Sequence, residues 1–135
     1  MKVSLDNGAK LPERAHQNDA GLDLFSLETK YISPKEYVRF ETGVHVEIPA
    51  GYVGLLTSKS GLMSKGITSR GTIDCGYTGS IKAILFNHGD EGYLIRAGDK
   101  ITQLVILPII TPEIELVDSL ETTERGEGGF GSTGR

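Results

Sequence analysis

Polar and apolar positions alternate with a period of two along much of this chain, in short runs. Residues 20–25 (AGLDLF) set Leu22 and Leu24 against Asp23, and residues 44–48 (VHVEI) align Val44, Val46 and Ile48. A period of two sends successive side chains to opposite faces of a strand, so Asp23 is expected on the face away from the leucines. Residues 1–5, 30–32, 37–42, 52–57 (YVGLLT) and 93–96 read as further strands. Turn residues separate them: Asn7-Gly8, Pro12, Ser33-Pro34, Pro49-Ala50-Gly51 and the stretch 97–100. Residues 101–107 (ITQLVIL) are nearly continuous apolar, which predicts a strand buried on both faces. Gln103 is the polar exception there; a buried amide must find partners, either local backbone or a site that it orients. Pro108 and Pro112 break the run, and residues 114–117 (IELV) predict a terminal strand of the kind that pairs with another subunit.

One short helix is expected, with Ser60 as N-cap and Gly66 as the glycine just past its end. Its first turn would set free backbone N–H groups beside the Ser60 hydroxyl and the Lys59 ammonium, a combination suited to phosphate oxygens. A capped surface helix with a nearby lysine is the plainer alternative. Residues 71–79 (GTIDCGYTG) predict a tight hairpin. Thr72 and Ile73 would be strand, Cys75-Gly76 the tip with Gly76 supplying a positive φ, and residues 80–86 the returning strand. Asp74 and Tyr77 would then lie a few ångströms apart on a rigid turn, a good place for a general base. A turn aspartate and a surface tyrosine is the bland alternative.

Composition narrows the picture. The chain has 135 residues, enough for one core. Its 18 glycines are about twice the usual share and fall between the short strands, as an all-β domain with many tight turns requires. A net charge of −4 argues against a nucleic-acid binder, which needs a basic stripe. The single cysteine, Cys75, allows no internal disulfide and no cysteine-based zinc site. No run approaches a membrane span, so a cytoplasmic setting is expected. Residues 1–120 read as one β domain and 121–135 as a flexible glycine-rich segment, five of its last eleven residues being glycine. Phe130, Ser132, Thr133 and Arg125 among those glycines could close over a nucleotide, the ring stacking on a base and the arginine taking phosphate.

Taken in order, AGLDL (20–24), SKSGL (58–62), GTIDCGYTG (71–79), GDKITQLVILP (98–108) and RGEGGFGSTG (125–134) resemble the five motifs of the all-β, homotrimeric dUTP pyrophosphatases. The resemblance covers essentially the whole chain. It implies a distorted jelly-roll-like domain with one short helix, assembled as a homotrimer with active sites at subunit contacts. It also implies hydrolysis of dUTP to dUMP and diphosphate, with Mg2+ on the triphosphate. By position in the motifs, Asp74 would be the base that activates water against the α-phosphorus. Tyr77 would pack under the deoxyribose, while the backbone near Thr72, Ile73 and Lys82 reads the uracil edge. Lys59, Ser60 and Gly61 would hold the α- and β-phosphates with Gln103 buttressing them, and Asp23 would meet the metal through water. Arg125, Gly131, Ser132 and Thr133 would grip the γ-phosphate, with Phe130 on the base.

Two positions depart from the family pattern. Lys59 stands where an arginine is usual, keeping the charge but losing the planar two-pronged donor. Thr68 stands where an asparagine is usual. Cys75 reads as a small turn residue, since no histidine is placed to activate it, and His16, His45 and His88 fall outside every motif. Two rivals remain at the level of sequence. One is a dCTP deaminase of the same fold, which would need a glutamate where Ser80 follows Gly79. The other is a catalytically weak trimeric nucleotide-binding or regulatory module.

Overall fold

The computed structural model describes residues 1–134. Its elements run β1 (Lys2–Leu5), β2 (Gly21–Phe25), β3 (Lys30–Ile32), β4 (Tyr37–Glu41), β5 (Val44–Glu47), β6 (Tyr52–Thr57), α1 (Ser60–Met63), β7 (Ile67–Ile73), β8 (Lys82–Asn87), β9 (Tyr93–Ile95) and β10 (Lys100–Pro108). The expected all-β, jelly-roll-like architecture with one short helix is therefore what the chain adopts. A six-stranded sheet in the order β2-β10-β6-β7-β8-β4 forms the body, and the pairs β1-β5 and β3-β9 pack on it.

Two apolar clusters fill the interior. Leu24, Val44, Val46, Ile48, Leu56 and Leu104 centre one of them, and Ile32, Phe40, Ile67, Leu85 and Ile101 the other. The period-two runs read from the sequence supply these residues, one face at a time. Leu24 and Leu104 are fully buried, so truncating either to alanine costs about 2–5 kcal/mol.

Several expectations need correction. The residues 71–79 do not form a tight hairpin. β7 pairs with β8 only at its start, from Ile67 opposite Asn87 to Ser69 opposite Leu85. From Arg70 onward it pairs with β6 instead, Arg70 facing Thr57 and Ile73 facing Gly54. Because β7 changes partner part-way, β7 and β8 part company and residues 74–81 make a wide loop. Gly76 is not among the glycines with positive φ. Residues 67–70, which the alternation did not mark, are strand because their inward positions are Ile67 and Ser69, and Ser69 is buried through hydrogen bonds rather than apolar contact.

The helix is a single turn whose N-cap is Lys59, without a side-chain cap, so Ser60 is its first helical residue. Its C-cap is Ser64, and Gly66 follows two residues later at φ 78°. β10 is buried on both faces only in its first half; Leu107 and Pro108 are exposed. Residues 114–117 form no strand within this chain, and Ile114 and Leu116 project almost wholly into solvent. No helix of the described residues is long and apolar enough to cross a membrane.

Candidate active site

Strand register fixes the first group of expected site residues. Asp23 on β2 lies directly opposite Gln103 on β10, which lies opposite Thr57 on β6, so the three share one face of the sheet. Asp23 does point away from the leucine core, as alternation requires, yet it is only 3 % exposed. Long lysine side chains cover it. Lys59 Nζ stands 2.5 Å from its Oδ1 and Lys100 Nζ 3.0 Å from its Oδ2. Lys100 also pairs with Glu13 at 2.9 Å, and Glu13 bridges Asp23 through the backbone. Burial works against the Asp23 charge. Even so, the hydrogen bonds and charges of Lys59 and Lys100 prevail and hold its carboxyl below the usual carboxylate range.

Lys100 and Glu13 were not among the residues singled out from the sequence. Lys100 lies inside the GDKITQLVILP motif, so its position was visible, but nothing local says that it reaches Asp23. The turn carrying Lys59 is fixed by Ser58, also missed. Its hydroxyl donates to the Ser69 carbonyl at 3.0 Å and accepts the Ser69 N–H at 2.8 Å. Gln103 Nε2 donates to the Ser58 carbonyl at 3.3 Å, which is the backbone role left open for it. Beneath, Ser69 and Thr102 hydroxyls bond at 2.8 Å, and Thr102 donates to the Thr57 carbonyl at 3.0 Å. Ser60 and Gly61 follow in α1, both exposed. Thr68 is turned elsewhere, its hydroxyl 2.7 Å from His88 Nε2.

The second group meets in a cleft of about 250 Å³ lined by Thr72, Ile73, Asp74, Tyr77 and Lys82. These five were expected together, and the structure brings them together by a different route, through the wide loop. Tyr77 N–H donates to the Asp74 carbonyl at 3.0 Å, and the Tyr77 hydroxyl donates to the Ser80 carbonyl at 2.9 Å. Glycine at residue 79 leaves room for the Tyr77 ring in this position: a Cβ there would lie 2.5 Å from the Tyr77 hydroxyl oxygen, and the ring would have to shift. Lys82 stands 3.5 Å from Glu41, and Ser80 donates to the same carboxylate oxygen at 3.4 Å. The Asp74 side chain is exposed, with no hydrogen-bond or ion-pair partner among the described residues.

The two groups stand apart within one chain. Lys59 follows the Thr57 end of the β6–β7 ladder and Asp74 follows its Gly54–Ile73 end, three register steps or about 10 Å of strand away. The third group, Arg125, Phe130, Gly131, Ser132 and Thr133, lies on neither. The tail bonds to itself: Arg125 Nε donates to the Gly128 carbonyl at 3.0 Å and Ser132 N–H to that of Gly129 at 2.7 Å. Gly131 permits the second turn with φ 86°, a value side chains avoid. Arg125, Ser132 and Thr133 thereby share one concavity, with Thr123, Glu124 and Gly128, and Phe130 is wholly exposed.

No group of three or more His, Cys, Asp or Glu side chains among the described residues could hold a metal ion by itself. Asp23 is a single carboxylate with both oxygens already engaged. Such a donor fits a cation that keeps its own water shell and is bound mainly by a ligand's phosphates, and does not fit a bare ion in a protein cage.

Comparison with known proteins adds to this geometry. The dUTPase family model matches residues 7–134. The deoxyuridine 5'-triphosphate nucleotidohydrolase of Clostridium tetani is 47% identical, over 100% of this chain and 97% of that protein. Its counterpart in Clostridium kluyveri is 49% identical, over 96% and 94%. Among solved structures, the dUTPase of Staphylococcus bacteriophage 80alpha with dUPNHPP superposes with a TM-score of 0.92 at 40% identity, covering 99% of this chain and 98% of that one. A mutant dUTPase from phage phi11 of S. aureus, described for its coordination of a structural Mg(II) ion, gives 0.82 at 38% identity, over 90% and 98%.

Proposed function

This chain belongs to the dUTPase family, and from that premise we propose that it hydrolyses dUTP to dUMP and diphosphate. The observation that carries the residue assignment is the cleft in which Asp74, Tyr77 and the Thr72–Ile73 strand end converge. Its size suits a nucleoside rather than a whole nucleotide triphosphate. We assign Tyr77 to the face of the deoxyribose, where its ring leaves no room for a 2′-hydroxyl and so discriminates against UTP. The strand ends at Thr72, Ile73 and Lys82 offer backbone donors and acceptors to the uracil edge. Asp74, with no partner for its carboxylate among the described residues, can accept a proton from water.

In the reaction, that water oxygen bonds to the α-phosphorus, the bond from the α-phosphorus to the bridging oxygen breaks, and diphosphate leaves. The proton passes to Asp74. Catalysis of this type rests on alignment and charge, which sets the task of the other residues. Lys59, Ser60 and Gly61 hold the α- and β-phosphates, and Gln103 fixes their turn through Ser58. Arg125, Gly131, Ser132 and Thr133 take the γ-phosphate while Phe130 covers the base. Mg2+ on the triphosphate would supply charge neutralisation, and Asp23 would be the residue that holds it, through water.

The separation of Lys59 from Asp74 along the ladder, together with a tail that meets neither, supports a homotrimer whose sites form between chains. The unpartnered apolar residues after Pro108 support the same arrangement. We place this activity in the cytoplasm, where it would keep uracil out of DNA and supply dUMP. The test is pyrophosphate release from dUTP, UTP, dTTP and dCTP, with and without magnesium. Rapid release from dUTP alone, dependent on the metal, is expected. Ammonia from dCTP, or binding without turnover, would overturn the assignment.

A further inference from the structure

Residues 74–79, the loop that carries the assigned base and the ring beneath the sugar, bond chiefly to themselves and to Ser80. Among the described residues, one hydrogen bond ties this segment to a distant part of the chain. It is made by His45 on β5, whose Nδ1 lies 2.8 Å from the Thr78 carbonyl oxygen. The other ring nitrogen, Nε2, lies 3.1 Å from Oδ1 of Asp6, in the turn after β1. A carbonyl and a carboxylate can only accept. Satisfying both therefore takes a proton on each ring nitrogen, which only the imidazolium has.

We propose that His45 is a positioning residue for dUTP hydrolysis: as an imidazolium held between Asp6 and Thr78, it fixes the loop bearing Asp74 and Tyr77, and on losing a proton it lets that loop go. Its effect on turnover rests on the dUTP reading above; its effect on loop order does not.

The anchor is rigid on the side away from the loop. Val44 and Val46, its neighbours in β5, are in the core, and Asp6 is held by its own N–H donating to the Gly43 carbonyl at 2.8 Å. The charged groups around the ring are few. Asp6 favours the imidazolium and Lys82 on β8 opposes it. Lys2 on β1 and Glu47 on β5 line the same hollow beside His45 and Thr78, and they neutralise each other at 2.9 Å. The hydrogen bond to the Thr78 carbonyl, followed by that to Asp6, raises the ring's pKa above its ordinary 6.5 against desolvation and Lys82. A raised folded value means that the clamp is complete below the ordinary histidine range and is lost as pH rises through the raised value. Neutral imidazole has one N–H, so one of the two contacts must then turn from attraction to lone-pair repulsion.

Two measurements on the full-length protein test this: an NMR titration without nucleotide, and dUTP turnover from about pH 5 to pH 9. Wild type is compared with His45→Gln and Asp6→Asn. The amide signals of Cys75 to Thr78 should shift with the midpoint of the His45 ring, and kcat/KM should fall about tenfold above that midpoint as the loop loosens. His45→Gln, which donates one hydrogen bond at any pH and cannot titrate, should lack this alkaline fall. Asp6→Asn should move it to lower pH. Loop amides indifferent to the His45 midpoint, or a His45→Gln enzyme with the wild-type alkaline fall, would overturn the proposal. Loop amides that follow His45 in a protein inert towards dUTP would sustain the clamp and sink the substrate assignment instead.

Discussion

The surroundings of Asp23 and of Asp74 are built on opposite plans. Asp23 is buried and has a partner for each oxygen, Lys59 on one and Lys100 on the other. Asp74 is exposed and, among the described residues, has no partner for its carboxylate, on a loop that one histidine among them holds at a distance. The difference follows from what each is proposed to meet. Lys59, proposed to receive the α- and β-phosphates, would be repelled by Lys100 and stray if left unpaired, so a carboxylate between the two keeps it in place until phosphate arrives. A base that must touch water is useless once its lone pairs are spent on the protein. One site is organised in advance by neutralisation, the other by being left open.

Three substitutions and one truncation press on that contrast, in falling order of effect. Replacing Asp74 with asparagine should lower dUTP turnover by about 10³-fold while leaving dUTP affinity almost unchanged. An unaltered rate in a single-turnover assay would remove Asp74 from the chemistry. Deleting residues 125–135 should reduce kcat/KM by about 10²-fold with no change in assembly mass by light scattering. Full activity in the shortened chain would mean that the tail does not complete the site.

Asp23→Asn should destabilise the fold by about 1–3 kcal/mol in urea titrations at neutral pH. The two lysines would lose a buried partner but still reach water, which softens the penalty. The sign of its pH dependence follows from the lowered carboxyl pKa. The wild-type advantage is present above about pH 4 and disappears as pH falls through the lower folded value, whereas the variant should show no such step. A variant as stable as wild type at pH 7 would show that the lysine pairs do no more than break even. The mildest change is Lys59→Arg, which should lower KM for dUTP about threefold by restoring a two-pronged donor. A higher KM would indicate that the Asp23 pocket is fitted to an ammonium.

The strands of this fold were legible because their buried positions are mostly aliphatic. Val44, Val46 and Ile48, or Leu22 and Leu24, announce a face by themselves. Where burial is achieved by hydroxyl pairing, as with Ser69 against Thr102, the period of two carries no apolar signal, and half of β7 went unread. The exchange of partners that opens the loop after Ile73 is set by β6, many residues upstream, so the local turn residues pointed to a hairpin that does not form. The five side chains of the cleft were nonetheless correctly grouped, because a wide loop and a tight one both keep residues 72–82 near each other. The cover over Asp23 was hidden for a related reason: Lys100 arrives from the far end of the chain, and no spacing reports its reach.

Ile110, Ile114, Leu116 and Leu120 are 87–98% exposed in the single chain. If neighbouring chains shelter them, dilution becomes a denaturant. Each tenfold drop in protein concentration would subtract about 1.4 kcal/mol for every chain that must be recruited. Melting curves taken at nanomolar enzyme and at crystallographic concentration would then report different proteins.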